Sequence, residues 1–288
     1  MAAADISTDA LPLVDRRNLH LADTESLRRE FCFFFKTVQS AVVRTLVDAM
    51  KEVVADTNLI FDRDGLTIKA MDQPQNAMIH LRLRADRFEE YVCDGTHTCG
   101  VALLHLHRLL KTMSSTDVLM IYMRRKLLGA IDIHIENNKK AKTSHFRLYL
   151  LDLPKTSALR PIVPDPQYSI SIESSELNKI VREMKDIAQN LDIRYHNRTL
   201  RFKAVNGTFA EASVFLGIKE DEDEGRALDD IVQGVFSLRY LSMFTKCTPL
   251  SKEATLFLKN DFPLIVQYNV SNMGVIQLVL MMEDDAGA

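Results

Sequence analysis

Apolar positions along the chain recur with two periods, and the same order of periods occurs twice. From residues 40 to 55 they return every three or four positions, which predicts an amphipathic helix. The same pattern returns 134 residues later, at residues 175–188. The match then runs without a gap through residues 57–72 and 191–206. A long internal repeat of this kind indicates that one fold is used twice.

Segments that alternate apolar and polar residues, or that are apolar throughout, predict strands in both repeats. In the first repeat these are residues 31–36, 59–62, 66–71, 77–83, 118–123, 128–135 and 144–151. In the second they are residues 168–172, 192–195, 200–204, 209–216, 234–236, 255–259, 264–270 and 275–282. Second amphipathic helices are predicted at residues 103–113 and 238–247. Helices with apolar faces must pack on the sheets, which predicts an α+β fold.

Four prolines divide the repeats, because proline disfavours both helices and central strands. They predict a connector at residues 152–167, between a first domain at 31–151 and a second at 168–288 with a short acidic tail. Residues 1–30 are polar and weakly patterned, and are interpreted as an N-terminal extension outside the repeat. Residues 219–230 are acidic and predict a solvated loop.

Composition is that of a globular protein with two cores: 288 residues, 47% hydrophobic and 26% charged. The formal net charge is only -3, so any nucleic-acid surface must come from local clustering of cations. The four cysteines have no CxxC spacing and are predicted to be buried free thiols. No apolar run reaches the roughly 18 residues that a membrane span needs.

Each of the four predicted helices carries spaced cations opposite its apolar stripe. These cations are Arg44 and Lys51, Arg108 and Lys111, Lys179, Arg182 and Lys185, and Arg239 and Lys246. A solvated face is the simpler interpretation for any one helix, but four equivalent helices favour contact with a phosphate backbone. Because aromatic residues are not interleaved with the cations, duplex DNA is favoured over single strands.

Motifs typical of catalysis are missing from the sequence: it has no GxxxxGK[ST], GxGxxG, HExxH or GxSxG. His105 and His107 are two apart, so on a helix they point away from each other and cannot share a metal ion. The sequence therefore predicts a protein that is not an enzyme, with no cofactor and no metal site.

Several stretches, taken in order, resemble the sliding-clamp family of proliferating cell nuclear antigen. The most specific is Phe-Ser-Leu-Arg-Tyr-Leu-Ser-Met-Phe-Thr-Lys-Cys-Thr-Pro-Leu at residues 236–250. Shorter similar stretches lie at residues 46–52, 65–72, 91–94, 262–268 and 273–274. The resemblance covers about residues 32–283, which is nearly everything but the N-terminal extension.

The resemblance implies two tandem copies of the DNA-clamp (processivity fold) domain and a homotrimeric ring whose helices line a channel around duplex DNA. Edge strands near residues 144–150 and 209–216 would pair between subunits and leave no free edge. The family's channel-facing cations fall on Lys51, Arg108, Lys111, Arg182, Arg239 and Lys246.

The resemblance also implies a pocket beneath the connector that holds short motifs of partner proteins. By position it would use Met71, Gln75, Asn76, Leu159, Ile162, Val163, Pro263, Val279, Met281 and Met282. The chain departs from the family here: Gln75 and Asn76 replace His-Val, Met281 and Met282 replace Ala-Pro, and the connector is longer.

The first hypothesis is thus a sliding clamp that tethers DNA polymerase and other replication and repair proteins, opened by a separate clamp loader. It would act in the nucleus, or at a viral replication site if the chain is viral. One alternative is a subunit of a heterotrimeric checkpoint clamp, which would be monomeric alone. Another is a monomeric DNA-binding processivity factor, and a further one is a scaffold without DNA binding.

Overall fold

The computed structural model describes residues 24–137, 139–154, 162, 169–218 and 232–283. Three predicted features therefore lie wholly or largely outside the described residues. They are the N-terminal extension before residue 24, most of the connector, and the acidic loop at residues 219–230.

The first repeat contains three helices, nine strands and one 3-10 turn in its described part. In chain order these are α1 (Thr24–Glu30), β1 (Phe31–Thr37), α2 (Ser40–Val53), β2 (Asp56–Asp62), β3 (Gly65–Met71), β4 (Ala77–Arg84), the 3-10 turn Ala85–Arg87, β5 (Glu90–Cys93), β6 (His97–Ala102), α3 (Leu103–Leu110), β7 (Val118–Arg124), β8 (Ala130–Asn137) and β9 (Lys142–Tyr149).

The second repeat follows the same plan. Its described elements are β10 (Ser169–Glu173), α4 (Ser174–Lys185), β11 (Asn190–His196), β12 (Thr199–Val205), β13 (Ser213–Gly217), β14 (Val232–Ser237), α5 (Leu238–Phe244), the 3-10 helix Thr245–Leu250, β15 (Glu253–Phe257), β16 (Leu264–Val270) and β17 (Gly274–Leu280). Strand by strand, β4 corresponds to β13 and β9 corresponds to β17. Among the described residues, helix α1 and strand β5 have no counterpart in the second repeat, and the other elements follow the same order in both, which supports one fold used twice.

The strands form three antiparallel sheets, and the largest one contains strands from both repeats. Its order is β10-β15-β16-β17-β4-β3-β2-β6, and the other sheets are β5-β1-β7-β8-β9 and β13-β12-β11-β14. The repeats meet where β17 pairs with β4 over seven residue pairs, from Gly274–Leu83 to Leu280–Ala77. A Cβ at Gly274 would lie 1.9 Å from the Arg82 carbonyl oxygen, so only glycine allows this close approach.

One continuous hydrophobic core runs through both repeats, between the sheets and a layer of helices. Helices α2 and α3 pack together, α4 packs on α5, and α2 contacts α5 and the 3-10 helix of the second repeat. The buried faces of α2 and α4 carry the apolar residues of the repeated pattern, such as Leu46, Met50, Leu177 and Met184. The polar faces of four helices therefore lie on one side of the molecule.

The predicted elements agree with the structure in type, and they differ most at their ends and in short strands. Strands β5 and β6 were not predicted, and the helix expected to reach Cys247 ends at Phe244, where a 3-10 helix containing Pro249 continues. The strand expected at residues 209–216 is Ser213–Gly217, so the prediction is wrong for residues 209–212. The Ala212 carbonyl still accepts a hydrogen bond from Ala204, but residues 209–211 have no neighbouring strand within the described part of the chain.

A buried carboxylate links the two repeats beside the shared sheet. The Asp72 side chain accepts a 2.8 Å hydrogen bond from the Ala77 backbone N–H at the start of β4. Its second oxygen accepts a hydrogen bond from the hydroxyl of Tyr240, on α5 of the other repeat. Both residues are buried, so neither can exchange its partner for water without opening the junction.

Replacing Asp72 by Ala should destabilise the protein by about 2–4 kcal/mol, because two buried donors lose their acceptor. The loss is measured as a lowered midpoint of denaturant unfolding. Asp64→Ala is the matched control, since the Asp64 side chain is 79% exposed and should change stability by less than about 0.5 kcal/mol. Equal effects of the two substitutions would contradict the proposed importance of the junction.

Candidate functional site

A groove of about 820 Å³ runs along the helix layer and is lined by residues of both repeats. Five of its lining residues are cations and come from α2, α4 and the segments that follow α3 and α5. They are Arg44, Lys111, Arg182, Lys185 and Lys246. Two carboxylates, Asp48 and Asp186, also line it. Cations therefore predominate in the groove although the chain as a whole is slightly acidic.

The cations differ in how far other groups of the chain compensate their charge. The Lys51 ammonium lies 2.5 Å from Glu52 and 3.0 Å from Asp48, and its side chain is only 16% exposed. Glu52 also lies 3.0 Å from the Lys246 ammonium in the other repeat. Hydrogen bonds from Lys51 and then Lys246 hold the pKa of Glu52 below its usual value. Glu52 is thus ionised and reduces the positive potential of the groove.

Four predicted cations do not line the groove: Lys51, Arg108, Lys179 and Arg239. The last three are exposed on the helix layer, and the Arg239 guanidinium lies 6.0 Å from the ring centre of Tyr240. Within the groove, the Lys185 ammonium donates a 2.9 Å hydrogen bond to Ser242, and Arg44 donates to the Met113 carbonyl. The helix layer therefore holds all nine predicted cations, but only five meet in one concavity.

A second apolar cluster lies on the opposite, outer face of the large sheet, where the two repeats join. It brings together three residues of the predicted partner pocket, Met71, Ile162 and Val279. The cluster also contains residues that the sequence did not suggest: Met78, Phe257 and Ile265. Ile162 belongs to the connector, so a connector residue packs onto this cluster.

The other predicted pocket residues are placed less uniformly. Gln75 and Asn76 are exposed in the turn before β4, and the Asn76 carbonyl accepts a 2.9 Å hydrogen bond from the Met281 backbone N–H. Pro263 is half-buried at the start of β16, whereas Met282 packs against the main core. Leu159 and Val163 lie outside the described residues.

A signal for the three missed residues exists in the strand alternation. Met78 and Ile265 lie between core residues such as Ala77, Ile79 and Leu264, so their side chains point to the opposite face. An apolar residue on the outer face of a sheet strand indicates a second buried contact. Phe257 follows from the same alternation on β15.

Other expected features concern metal ions, thiols and membranes. The part of the chain that the structure describes contains no cluster of His, Cys, Asp and Glu that could hold a metal ion. All four cysteines are free and buried, as predicted. No helix among the described residues has the length and apolar character needed to cross a membrane.

Two tandem α+β domains that share one sheet, with a cation-bearing helix layer on one side, are the architecture of a DNA clamp. Residues 33–157 match the N-terminal domain of proliferating cell nuclear antigen, and residues 162–282 match its C-terminal domain. The chain therefore belongs to the proliferating cell nuclear antigen family, the family of the DNA sliding clamps.

Two curated relatives agree with this assignment. The chain is 28% identical over 256 residues to probable DNA polymerase sliding clamp 1 of Paramecium bursaria Chlorella virus 1, covering 86% of this chain and 95% of the relative. It is 30% identical over 244 residues to proliferating cell nuclear antigen 2 of Drosophila melanogaster, covering 84% and 94%.

Glu52→Gln should strengthen binding of duplex DNA severalfold at low salt, because it frees the charges of Lys51 and Lys246. The change is measured by fluorescence anisotropy of labelled duplex across a salt series. Glu253→Gln, which removes an equal charge on β15 away from the groove, serves as the control. If both variants bind DNA like the parent protein, Glu52 does not set the potential that DNA experiences.

Proposed function

We propose that three copies of this chain form a closed ring, and that the helix layer faces duplex DNA in its channel. Membership of the family makes the protein a DNA sliding clamp, a processivity factor in DNA replication. The proposal adds the homotrimer, the DNA-facing residues and the partner pocket. As a clamp the chain would act as a scaffold without chemistry of its own, in the nucleus or at a viral replication site.

The observation that carries the ring is the pairing of β17 with β4 inside one chain. The equivalent of β17 in the first repeat is β9, and the equivalent of β4 in the second repeat is β13. Among the described residues, each of the two is the last strand of its sheet. Because β17 and β4 pair with each other, their homologues β9 and β13 should present matching hydrogen-bonding edges. Joining β9 of one copy to β13 of the next is a head-to-tail contact, which closes if the rotation per copy is one third of a turn.

The register of this contact follows from the duplication. When the strand pairings of the two repeats are compared, Leu148 of β9 takes the position of Leu280 of β17, and Leu216 of β13 takes the position of Leu83 of β4. Transferring the β17–β4 register gives these pairs between copies: Ser144 with Val214, His145 with Ser213, Phe146 with Ala212, Arg147 with Glu211, Leu148 with Ala210, and Tyr149 with Phe209.

These pairs are chemically complementary. Arg147 would lie opposite Glu211, and the two aromatic side chains that would meet, Tyr149 and Phe209, are each 74% exposed in a single chain. The inward pairs combine the half-buried ring of Phe146 with the small side chain of Ala212. Pairing in this register would also extend β13 into residues 209–212, where the strand was expected but has no neighbour.

Contact with DNA would be electrostatic and independent of sequence. Cations in the groove suit phosphate oxygens, and four of them, Lys111, Arg182, Lys185 and Lys246, are exposed and can follow the backbone without reading base edges. Topological closure keeps such a ring on DNA, so weak, salt-screened contacts suffice and permit sliding. The proposed DNA-facing set keeps all nine cations, with Arg44, Lys111, Arg182, Lys185 and Lys246 as the central group.

Partner proteins would bind the outer apolar cluster at its partly exposed members, Met71, Ile162 and Phe257, which pack on the buried Met78, Ile265 and Val279. DNA polymerase, the clamp loader and replication or repair proteins with short motifs are the proposed partners. A motif helix with aromatic anchors suits a cluster that is apolar, spans both domains and is bordered by the connector.

A subunit of a heterotrimeric checkpoint clamp and a monomeric processivity factor remain alternatives. The homotrimer is favoured over both alternatives because β9 and β13 of one sequence are complementary. In a heterotrimer each edge would need to match a different chain, and a monomer would need no matching edges.

Cysteines introduced as His145→Cys and Ser213→Cys should form a disulfide between copies on oxidation. Residues directly opposite across an antiparallel pair have Cβ atoms about 4.5–5.5 Å apart, close to disulfide geometry. Both positions are exposed and lie in different sheets of one chain, and the native cysteines are buried. Non-reducing electrophoresis should show covalent dimers and trimers.

The control pairs Tyr149→Cys with Ser213→Cys, which shifts one cysteine by four residues, or about 13 Å along the strand. It should not cross-link. Efficient cross-linking of this control, or none in the matched pair, would show that the transferred register is incorrect.

Replacing Lys111, Arg182 and Lys246 together by Ala should weaken duplex binding and lower its salt dependence by roughly one unit of slope per lost phosphate contact. Anisotropy titrations over a salt series measure both quantities. The control is a triple Ala variant of Arg28, Arg87 and Lys126, exposed cations away from the groove. An equal loss in the control would argue against the groove as the DNA-facing surface.

A further inference from the structure

Side chains on the outer face of the large sheet lie in rows that cross the strands. The first row is the apolar cluster: Met71, Met78, Val279, Ile265 and Phe257 are successive cross-strand partners. The second row, two residues along each strand, contains Lys69, His80, Gln277, Gln267 and Thr255. The third row contains Thr67, Arg82, Val275 and Asn269. The face thus changes from an apolar row to two polar rows, which carry one cation each, Lys69 and Arg82.

Hydrogen bonds hold the second row in place. His80 Nδ1 lies 3.1 Å from Gln277 Oε1, and Gln277 Nε2 donates a 2.9 Å hydrogen bond to Gln267 Oε1. Since Gln277 Oε1 can only accept, His80 Nδ1 carries the proton and its Nε2 is an acceptor. Burial lowers the pKa of His80, and neighbouring Lys69 and Arg82 lower it further, so the ring is neutral at pH 7. This row offers a fixed set of donors and acceptors to a chain that crosses it.

The cations of the second and third rows and of the adjoining turn have few acidic neighbours. Lys69 and Arg63 form no ion pair within the described residues, and Arg82 lies 3.8 Å from Asp64, with both side chains more than half exposed. Arg84 differs, because Asp86 accepts from it at 2.9 and 2.7 Å. A hollow of about 510 Å³, lined by Arg63, Arg82 and Arg84 among others, lies at this end of the face.

We infer that the partner segment bound at the outer apolar cluster carries aspartate or glutamate residues beside its apolar anchors, and that Lys69, Arg82 and Arg63 bind them. The inference rests on the proposed function, since it needs a motif at that cluster. Along the strands, Lys69 lies two residues and Arg82 four residues from the apolar row, about 7 and 13 Å, so roughly two to four residues of extended partner chain would span these distances. Charge complementarity selects an acidic flank over a basic one.

The test uses three labelled peptides with the same helical set of aromatic and aliphatic anchors and with acidic, neutral or basic flanks. Calorimetric titration of the full chain should show the acidic peptide binding about tenfold more tightly than the neutral one, from two or three exposed ion pairs. The basic peptide should bind more weakly than the neutral one. Raising the salt concentration should remove most of these differences.

Charge reversal of Lys69 and Arg82 to Glu should invert the order of acidic and basic peptides and leave the neutral peptide unchanged. Lys126→Glu, an exposed reversal on a distant turn, should preserve the parent order. A Lys69→Gln, Arg82→Gln variant should bind the three peptides with equal affinity. It tests the same residues if the charge-reversed variant fails to fold.

The outcomes separate this inference from the proposed pocket. If the neutral peptide binds but the acidic flank adds no affinity, the inference fails and the pocket stands. If the neutral peptide does not bind and Met71→Ala has no effect on any peptide, the pocket itself is wrong. If the charge reversal weakens binding of duplex DNA and not of acidic peptides, Lys69 and Arg82 contact nucleic acid instead.

Discussion

The seven-pair ladder between β17 and β4 is the constraint on which the rest of the structure depends. Because it joins the repeats edge to edge, their four cation-bearing helices lie on the same side of the protein. On the other side, the same ladder places strands of both domains next to each other, and their outward side chains form the outer apolar cluster. Strands β9 and β13, the homologues of β17 and β4, are not paired with each other within the chain, and each lies at the edge of its own sheet in the described structure. One backbone interaction thus positions a helix layer, an outer apolar cluster and two strand edges.

The positive charge that a lysine or arginine contributes to the groove depends on the acidic residues beside it, and residue type alone does not predict it. Lys51 has the helical position of a DNA-facing residue, yet Glu52 and Asp48 hold its ammonium inside the chain. Glu52 also forms an ion pair with Lys246 of the other repeat and so reduces the positive potential of the groove. On the proposed DNA-facing surface, such compensation would weaken the contacts with phosphate and so favour sliding.

The sequence predicted the long, strongly periodic elements and failed where structure depends on distant partners. The faces of α2 and α4 follow from apolar spacing alone, and so does the duplication. Strand β5 is only four residues long, and β6 begins with polar residues and contains Gly100, so neither has a clear period. At the outer apolar cluster, Met71 and Val279 came from resemblance; strand alternation could have suggested Met78, Ile265 and Phe257, but only the cross-strand register shows that they meet. Pairing of Lys51 with Glu52 is local, but the approach of Lys246 to Glu52 depends on how the domains join, which no local pattern encodes.

The central claim is that β9 and β13 of neighbouring copies pair as β17 and β4 do, and so close a ring of three. Light scattering coupled to size exclusion, over a dilution series of the purified chain, tests it most directly. The account predicts a mass three times 32.8 kDa that persists on dilution. A mass of 32.8 kDa at every concentration, or one that grows without limit as concentration rises, would contradict it.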